Sequence, residues 1–463
     1  MGELLHSAAT GYVQAPGARW LAASPAPAGP ARPPSADQMP AFIVEGGHVL
    51  TGRVRPAGNK NAALPCITAC LLTPEPVTLL NVPRIRDVLN LLEIMESLGA
   101  EVVWTQPNAV RIDASGVTVG DVNRDMAAKI RASLLLAGPL LARFGRVNLP
   151  PPGGDVIGRR RMDTHFLAFE ALGARVRLNG GFDIRADKLV GTDIFLDEPS
   201  VTGTENAVMA AVMAEGITTL RNSASEPHVQ DLCNQLNAMG ARIGGIATNT
   251  LTIEGVKALH GAEVSIGADH IETGSFIGLA AVTGSTITIE DAPLQHLDST
   301  LIGFRRLGVD CEAVGKDLVV HGEGDHVIRQ DAFGAVSKID DGPWPAFPAD
   351  LTSIMVVTAT QCRGTILIHE KMFESRMFFT DKLVGMGARI ILCDPHRAVV
   401  VGPAALRGSE LESPDIRAGM ALLIAALGAQ GTSRIQNIRQ IERGYERIDE
   451  RLRALGAHIE RED

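Results

Sequence analysis

Along the chain, apolar positions recur at helical spacing and then switch to alternation, and the switch falls at the same short signal each time. ESLGAEVVW (96–104), EALGARVRL (170–178), NAMGARIGG (237–245), RRLGVDCEA (305–313), VGMGARIIL (384–392) and RALGAHIER (453–461) follow one another roughly every 70 residues. Each reads as the last turn of an amphipathic helix, a left-handed cap at the glycine, and a strand that pairs back along its own helix. A second pattern recurs with it: a small-residue helix, a short polar turn and a β-branched strand, as in ENAVMAAVMAEGITTLRN (205–222), ETGSFIGLAAVTGSTITIED (272–291) and LTSIMVVTATQCRGTILIHE (351–370). Helices so rich in Ala and Gly can be buried on nearly all sides, because small side chains permit close approach. The pattern predicts six units, each of two helices and several strands, divided three and three between two domains.

Composition is compatible with that reading and narrows the function. A chain of 463 residues exceeds what one core usually supports, and 45% hydrophobic with 21% charged residues is ordinary for a soluble globular protein. The net charge of −10, with no long run of Lys and Arg, and aromatic residues at only 4% argue against a nucleic-acid partner. No apolar stretch reaches the length of a membrane span; GMALLIAALGAQG is too short. The cysteines at 66, 70, 233, 311, 362 and 393 form no Cys-x-x-Cys pair and are expected to be reduced core thiols of a cytoplasmic protein. Residues 1–38 are Ala-, Pro- and Gly-rich, lack the form of a secretory signal, and are expected to be a disordered leader. Periodic sequence starts just after Met39, a candidate start of the chain.

The segment PPGGDVIGRRRMDTH (151–165) interrupts two apolar stretches with one carboxylate at Asp155 and three consecutive arginines, Arg159, Arg160 and Arg161. A short neutral turn would have sufficed there, so the loop is expected to meet an anion. The chain has no G-x-x-x-x-G-K-[ST], no complete G-x-G-x-x-G after a strand, no H-E-x-x-H and no G-x-S-x-G. Side-chain cations must therefore hold any phosphate, and arginine suits the task through its planar, permanently charged fork. Further cations stand at turns or helix starts: Lys60 beside Asn61 in GNKNAALP, Arg131 in KIRAS, Arg417 with Asp415 in SPDIRAG, and Arg443 in IERGYERI. PWPAFPADL brings Asp350 in behind three prolines that stiffen its approach.

These segments together, with IRASLLLAGPLLARFG, SVTGTENAVMAAVMAEG, MFESRMFF and RGYERIDERLRALGA, resemble the enolpyruvyl transferases that act on UDP-N-acetylglucosamine, from Phe42 to the C-terminus. The resemblance implies a two-domain inside-out α/β barrel, three repeats per domain, with helices inside and sheets outside. One domain would run over residues 60–267 and carry the loop 151–165 as a lid; the other would combine 39–59 with 268–463. The implied reaction moves the enolpyruvyl group of phosphoenolpyruvate to the 3-hydroxyl of UDP-N-acetylglucosamine and releases phosphate, the first committed step of peptidoglycan synthesis.

By the same resemblance, Asp155, Asp350, Lys60 and Arg443 would be catalytic, with Asp350 accepting the hydroxyl proton and Asp155 delivering one to the methylene carbon. Lys60, Asn61, Arg131, Arg160, Arg161, Met162, Asp163, Thr164, Ser200, Val201, Gly203, Asp350, Met372, Arg417 and Arg443 would bind substrate. No metal or organic cofactor is implied, and the partners would be small molecules, without nucleic acid or membrane. Most members carry cysteine where this chain has Asp155, so resistance to the epoxide fosfomycin is implied as well. Arg161 stands where proline is usual, Glu198 and Pro199 where lysine is frequent, and His270 where arginine is common. These departures leave open transfer to another uridine nucleotide in specialised metabolism, or a non-catalytic paralogue that binds UDP-sugar.

Overall fold

The computed structural model describes residues 40–118, 122–154, 158 and 160–462. Asp155 and Arg159 of the lid segment, and the leader expected over residues 1–38, lie outside the described residues. Among those described, six helices are buried along most of their length: Lys60–Ala69, Ala137–Phe144, Val201–Ala211, His270–Thr283, Thr352–Ala359 and Ile416–Gly428. Their small residues explain why. At Gly278 a side chain would press into Ile354 and Thr358 of the neighbouring helix, so glycine there sets how closely the two helices approach.

Each buried helix runs into a strand, then an outer amphipathic helix, and in five units a hairpin follows. The first unit shows the plan: helix Lys60–Ala69, strand Val77–Leu80, helix Arg86–Ser97, then strands Glu101–Gln106 and Ala109–Asp113. The glycine of the recurring signal ends the outer helix in all six units, with Gly99, Gly173, Gly240, Gly308, Gly387 and Gly456 at φ between 82° and 107°. That is the left-handed region, where a side chain is strained.

Every hairpin lies antiparallel to the strand after its buried helix, and in five of the six sheets a further strand adds in parallel. Two strand pairings, one parallel and one antiparallel, close the chain on itself. Strand Glu263–Ser265, from the end of the third unit, pairs with Val77–Leu80 of the first. Strand Ala41–Glu45, the first of the described residues, inserts between Thr432–Gln436 and His458–Glu462, so the last unit completes its sheet with the beginning of the chain.

Two hydrophobic cores result. One gathers residues from Ala62 to Ile266; the other gathers Phe42, Val44, Leu50 and Val54 with residues from Ile271 to Ile459. The architecture is a two-domain inside-out α/β barrel, helices within and sheets outward. Among the described residues no helix is long and apolar enough to cross a membrane.

The expectation of six core thiols needs one correction. Cys66, Cys70, Cys233 and Cys362 are buried, but Cys311 is half-buried and Cys393 is exposed. Cys393 lies at the irregular step of strand Arg389–Asp394, where the register with its partner shifts between Leu392 and Asp394, and apolar alternation does not forecast such a step.

Candidate functional site

Three of the buried helices begin at sequence-predicted site residues, a fourth begins at His270, and all four beginnings are fixed by side-chain caps. Asn59 accepts from the Ala62 amide at 3.1 Å, Ser200 from Gly203 at 3.2 Å, Asp269 from Ile271 and Glu272 at 2.8 and 3.0 Å, and Asp415 from Arg417 and Ala418 at 2.8 and 3.0 Å. A helix start offers partial positive charge to an anion. Cross-links hold two of these starts together: the Lys60 amide donates to Asp269 at 3.3 Å, and Asn59 Nδ2 lies 3.1 Å from His270 Nδ1.

Asp87 ties the two cores at this point. It sits in the first turn of helix Arg86–Ser97 and its carboxylate takes Lys60 Nζ at 2.9 Å and Arg443 Nε at 2.8 Å, so a residue of the first core grips a cation of the second. Gln440 Oε1 accepts from Arg443 Nη1 at 2.9 Å and fixes the other side of the guanidinium. Burial alone would push the Asp87 carboxyl up, but the Lys60 and Arg443 charges outweigh it and hold it below the usual range.

Asp350 stands in a short turn immediately before helix Thr352–Ala359, between two guanidinium groups. Arg376 Nη2 donates to Oδ1 at 3.0 Å, and Arg417 donates to Oδ2 from Nη2 at 3.0 Å and Nε at 3.2 Å. Burial raises the Asp350 carboxyl, and Arg417, Arg376 and Lys60 together bring it far below the carboxylate range. Arg417 also lies 5.4 Å from the Tyr445 ring, whose hydroxyl meets Ser275 Oγ at 2.9 Å. Arg376 and Arg417 are almost fully buried, a costly place for cations unless anions meet them.

The described part of segment 151–165 reaches the same region from the first core. Arg131 Nη2 donates to the carbonyls of Arg160 at 2.9 Å and Arg161 at 3.3 Å. Burial, and then repulsion from Arg160, brings the Arg131 guanidinium down to about 10. At Gly158 a side chain would collide with the carboxylate of Glu374, two residues before Arg376, so the loop lies against the second core there.

The residues expected from sequence to hold a nucleotide have varied surroundings. Thr164 is buried and its hydroxyl donates to Asp197 Oδ1 at 2.7 Å; a side chain at Gly203 would crowd Ser200 and Thr164. Met162, Ser200, Val201 and Asn61 are half-buried, while Asp163 and Met372 are exposed. Arg161 donates to Asp197 at 2.6 Å and lies 3.6 Å from Glu198. Two of the family departures therefore meet: the added arginine at 161 answers the acid at 198. The third, His270, is buried next to His228, His296 and Trp344, at ring separations of 6.3, 6.5 and 5.9 Å. Burial brings His270 and His228 down to about 3, so both are neutral in the physiological range.

Sequence reasoning missed Asp87 and Arg376. A first-turn acid looks like an ordinary helix-start carboxylate, and Arg376 inside MFESRMFF looks like a surface residue; Met372 drew attention instead.

The family model described as EPSP synthase (3-phosphoshikimate 1-carboxyvinyltransferase) matches residues 44–452. The chain belongs to the EPSP synthase family. Within that family it is 60% identical over 420 residues to a UDP-N-acetylglucosamine 1-carboxyvinyltransferase of Bradyrhizobium diazoefficiens, an alignment covering 91% of this chain and 97% of that one. A protein of the same name from Treponema denticola is 56% identical, with 91% and 99% covered. Among solved structures, the enolpyruvyl transferase NikO from Streptomyces tendae superposes with a TM-score of 0.81 at 24% identity, covering 91% of this chain and 99% of that one. An EPSP synthase from Acinetobacter baumannii gives 0.71 at 17% identity, covering 92% and 100%. These two structures share the EPSP synthase family fold.

Proposed function

We propose that the protein transfers the enolpyruvyl group of phosphoenolpyruvate to the 3-hydroxyl of UDP-N-acetylglucosamine and releases phosphate, a cytoplasmic step of peptidoglycan synthesis. The observation that carries the reading is the array of Lys60, Arg443, Arg376 and Arg417 around Asp87 and Asp350 where the two cores meet. We take the domains to be residues 60–267 and residues 39–59 with 268–463, and the array to lie between them.

Transfer requires a proton at the methylene carbon of phosphoenolpyruvate, which leaves an electron-poor carbon for the sugar hydroxyl to attack. The tetrahedral adduct then expels phosphate and loses a proton from the new methyl group. Lys60, Arg131, Arg160, Arg417 and Arg443, with Arg376, would neutralise the phosphate and carboxylate and stabilise charge as it moves. Asp155 would deliver the proton. Asp350 would take the hydroxyl proton, and an anion that engages Arg376 and Arg417 withdraws the two charges that most depress it, so substrate itself would restore basicity.

Asn61, Met162, Asp163, Thr164, Ser200, Val201, Gly203 and Met372 would line the sugar-nucleotide side, with Arg161 as the nearest added cation. The pairing of Arg161 with Asp197 and Glu198 keeps that side from becoming strongly acidic, which favours a diphosphate-bearing acceptor. Mass spectrometry of the nucleotide after incubation with phosphoenolpyruvate tests the proposal: UDP-N-acetylglucosamine should gain one enolpyruvyl group. An unmodified nucleotide beside active enzyme on another acceptor would refute the named substrate.

A further inference from the structure

Away from this array, two imidazoles and a carboxylate converge where the first and last described strands meet. Glu45 and His458 are direct partners in the antiparallel ladder, at the end of Ala41–Glu45, and His48 returns over them three residues later. His458 Nδ1 lies 3.4 Å from Glu45 Oε2 and His48 Nε2 lies 3.6 Å from Glu45 Oε1. The two rings are 3.9 Å apart between centroids, at 32°. His48 Nε2 is shielded from solvent and has no hydrogen-bond partner, an unsatisfied position for a ring nitrogen.

The backbone that brings His48 back is rigid. The Gly46 amide donates to Gly431 at 3.0 Å and the Gly47 amide to Leu427 at 2.9 Å, Gly47 takes φ +85°, and a side chain at Gly46 would strike the carbonyls of Ala426 and Ala429. Glycine suits both positions, Gly46 because it has no side chain and Gly47 because its positive φ strains any other residue. The turn thus carries His48 back over Glu45 and His458.

We infer that Glu45, His48 and His458 form a binding site for a divalent metal ion of zinc type. Two imidazole nitrogens and one carboxylate oxygen are a donor set that suits zinc and leaves a fourth position for water, whereas magnesium and calcium prefer oxygen alone. One donor atom from each side chain lies within 4.8 Å of the others. Zinc bonds of about 2.0–2.2 Å place donors roughly 3.3 Å apart, a contraction that side-chain rotation alone can supply. Bound metal would clasp strand Ala41–Glu45 to strand His458–Glu462 and so fasten the start of the described fold to its end.

Zinc titration of the untagged full-length protein by isothermal calorimetry, with thermal unfolding in parallel, tests the site. One zinc ion per chain should bind, the melting temperature should rise by several degrees, and magnesium should do neither. His48→Ala and His458→Ala should each abolish both effects, while metal-free phosphate release stays at the level of the unchanged protein and reports that the variants fold. Absence of zinc binding by the unchanged protein, or undiminished binding by both variants, would overturn the assignment.

Discussion

At the scale of single residues, the site depends on acids whose charge is set by the cations around them. Asp350 and Asp87 each hold two cations: the oxygens of Asp350 meet two different guanidinium groups, whereas Asp87 is shared between the Lys60 ammonium and the Arg443 guanidinium. Asp350→Asn keeps the shape and removes the basicity, so turnover should fall by about 10²- to 10⁴-fold while the affinity for UDP-N-acetylglucosamine, read by calorimetry, changes little. Near-normal turnover would remove Asp350 from the proton transfer. Asp155 carries a separate expectation. A carboxylate is a far weaker nucleophile toward an epoxide than a thiolate, so fosfomycin should leave the protein active in a timed inactivation assay, and Asp155→Cys should make it sensitive. The cations at 60, 131, 160, 417 and 443 were legible because each stands at a turn or helix start in a short recognisable segment. Asp87 and Arg376 were not, since their partners lie hundreds of residues away or within an undistinguished run, and only the closed fold brings them together.

Helices and strands were the most legible level, because the signals that end them are local. Each Leu-Gly or Met-Gly signal needs only its own glycine to adopt positive φ, and all six do. Gly456 stands in open space at φ +98°, so Gly456→Ala should cost about 1 kcal/mol of stability through backbone strain alone, measurable by denaturant unfolding. What the local signal of helix Pro227–Ala238 did not show is its long-range contact: Asp231 accepts from the Gly267 amide at 3.1 Å where the chain passes between the cores. Burial raises the Asp231 carboxyl to about 6. The native state then holds its proton more tightly than the unfolded chain does, so stability should fall as pH rises from about 4 through 6. Asp231→Asn should remove that slope and add about 2 kcal/mol at neutral pH, as measured by urea unfolding across the range. An unchanged pH profile would mean that Asp231 is solvated in solution.

At the scale of the whole molecule, the fold gathers groups from both ends of the chain onto one junction. Lys60 follows directly from the first crossing between the cores, Asp269 and His270 follow from the second, and Asp87 reaches over to Arg443. Contacts away from the array reinforce the junction: Asn108 donates to Glu446 at 3.1 Å, and the Trp344 amide to Glu226 at 3.4 Å. The number of repeats could be read from sequence because the small-residue helices recur in order, and the inside-out arrangement was implied by the resemblance to the enolpyruvyl transferases. The grouping of residues 39–59 with 268–463 rested on that resemblance, and the pattern of apolar positions gave no sign that Ala41–Glu45 inserts into a sheet whose other strands lie beyond residue 409. On this reading the junction is an enolpyruvyl transfer site for a UDP-sugar. Phosphate release from phosphoenolpyruvate, compared across UDP-N-acetylglucosamine, other UDP-sugars and UMP, tests it most directly. Turnover should be fastest with UDP-N-acetylglucosamine, whereas turnover confined to UMP, or none with any acceptor, would contradict it.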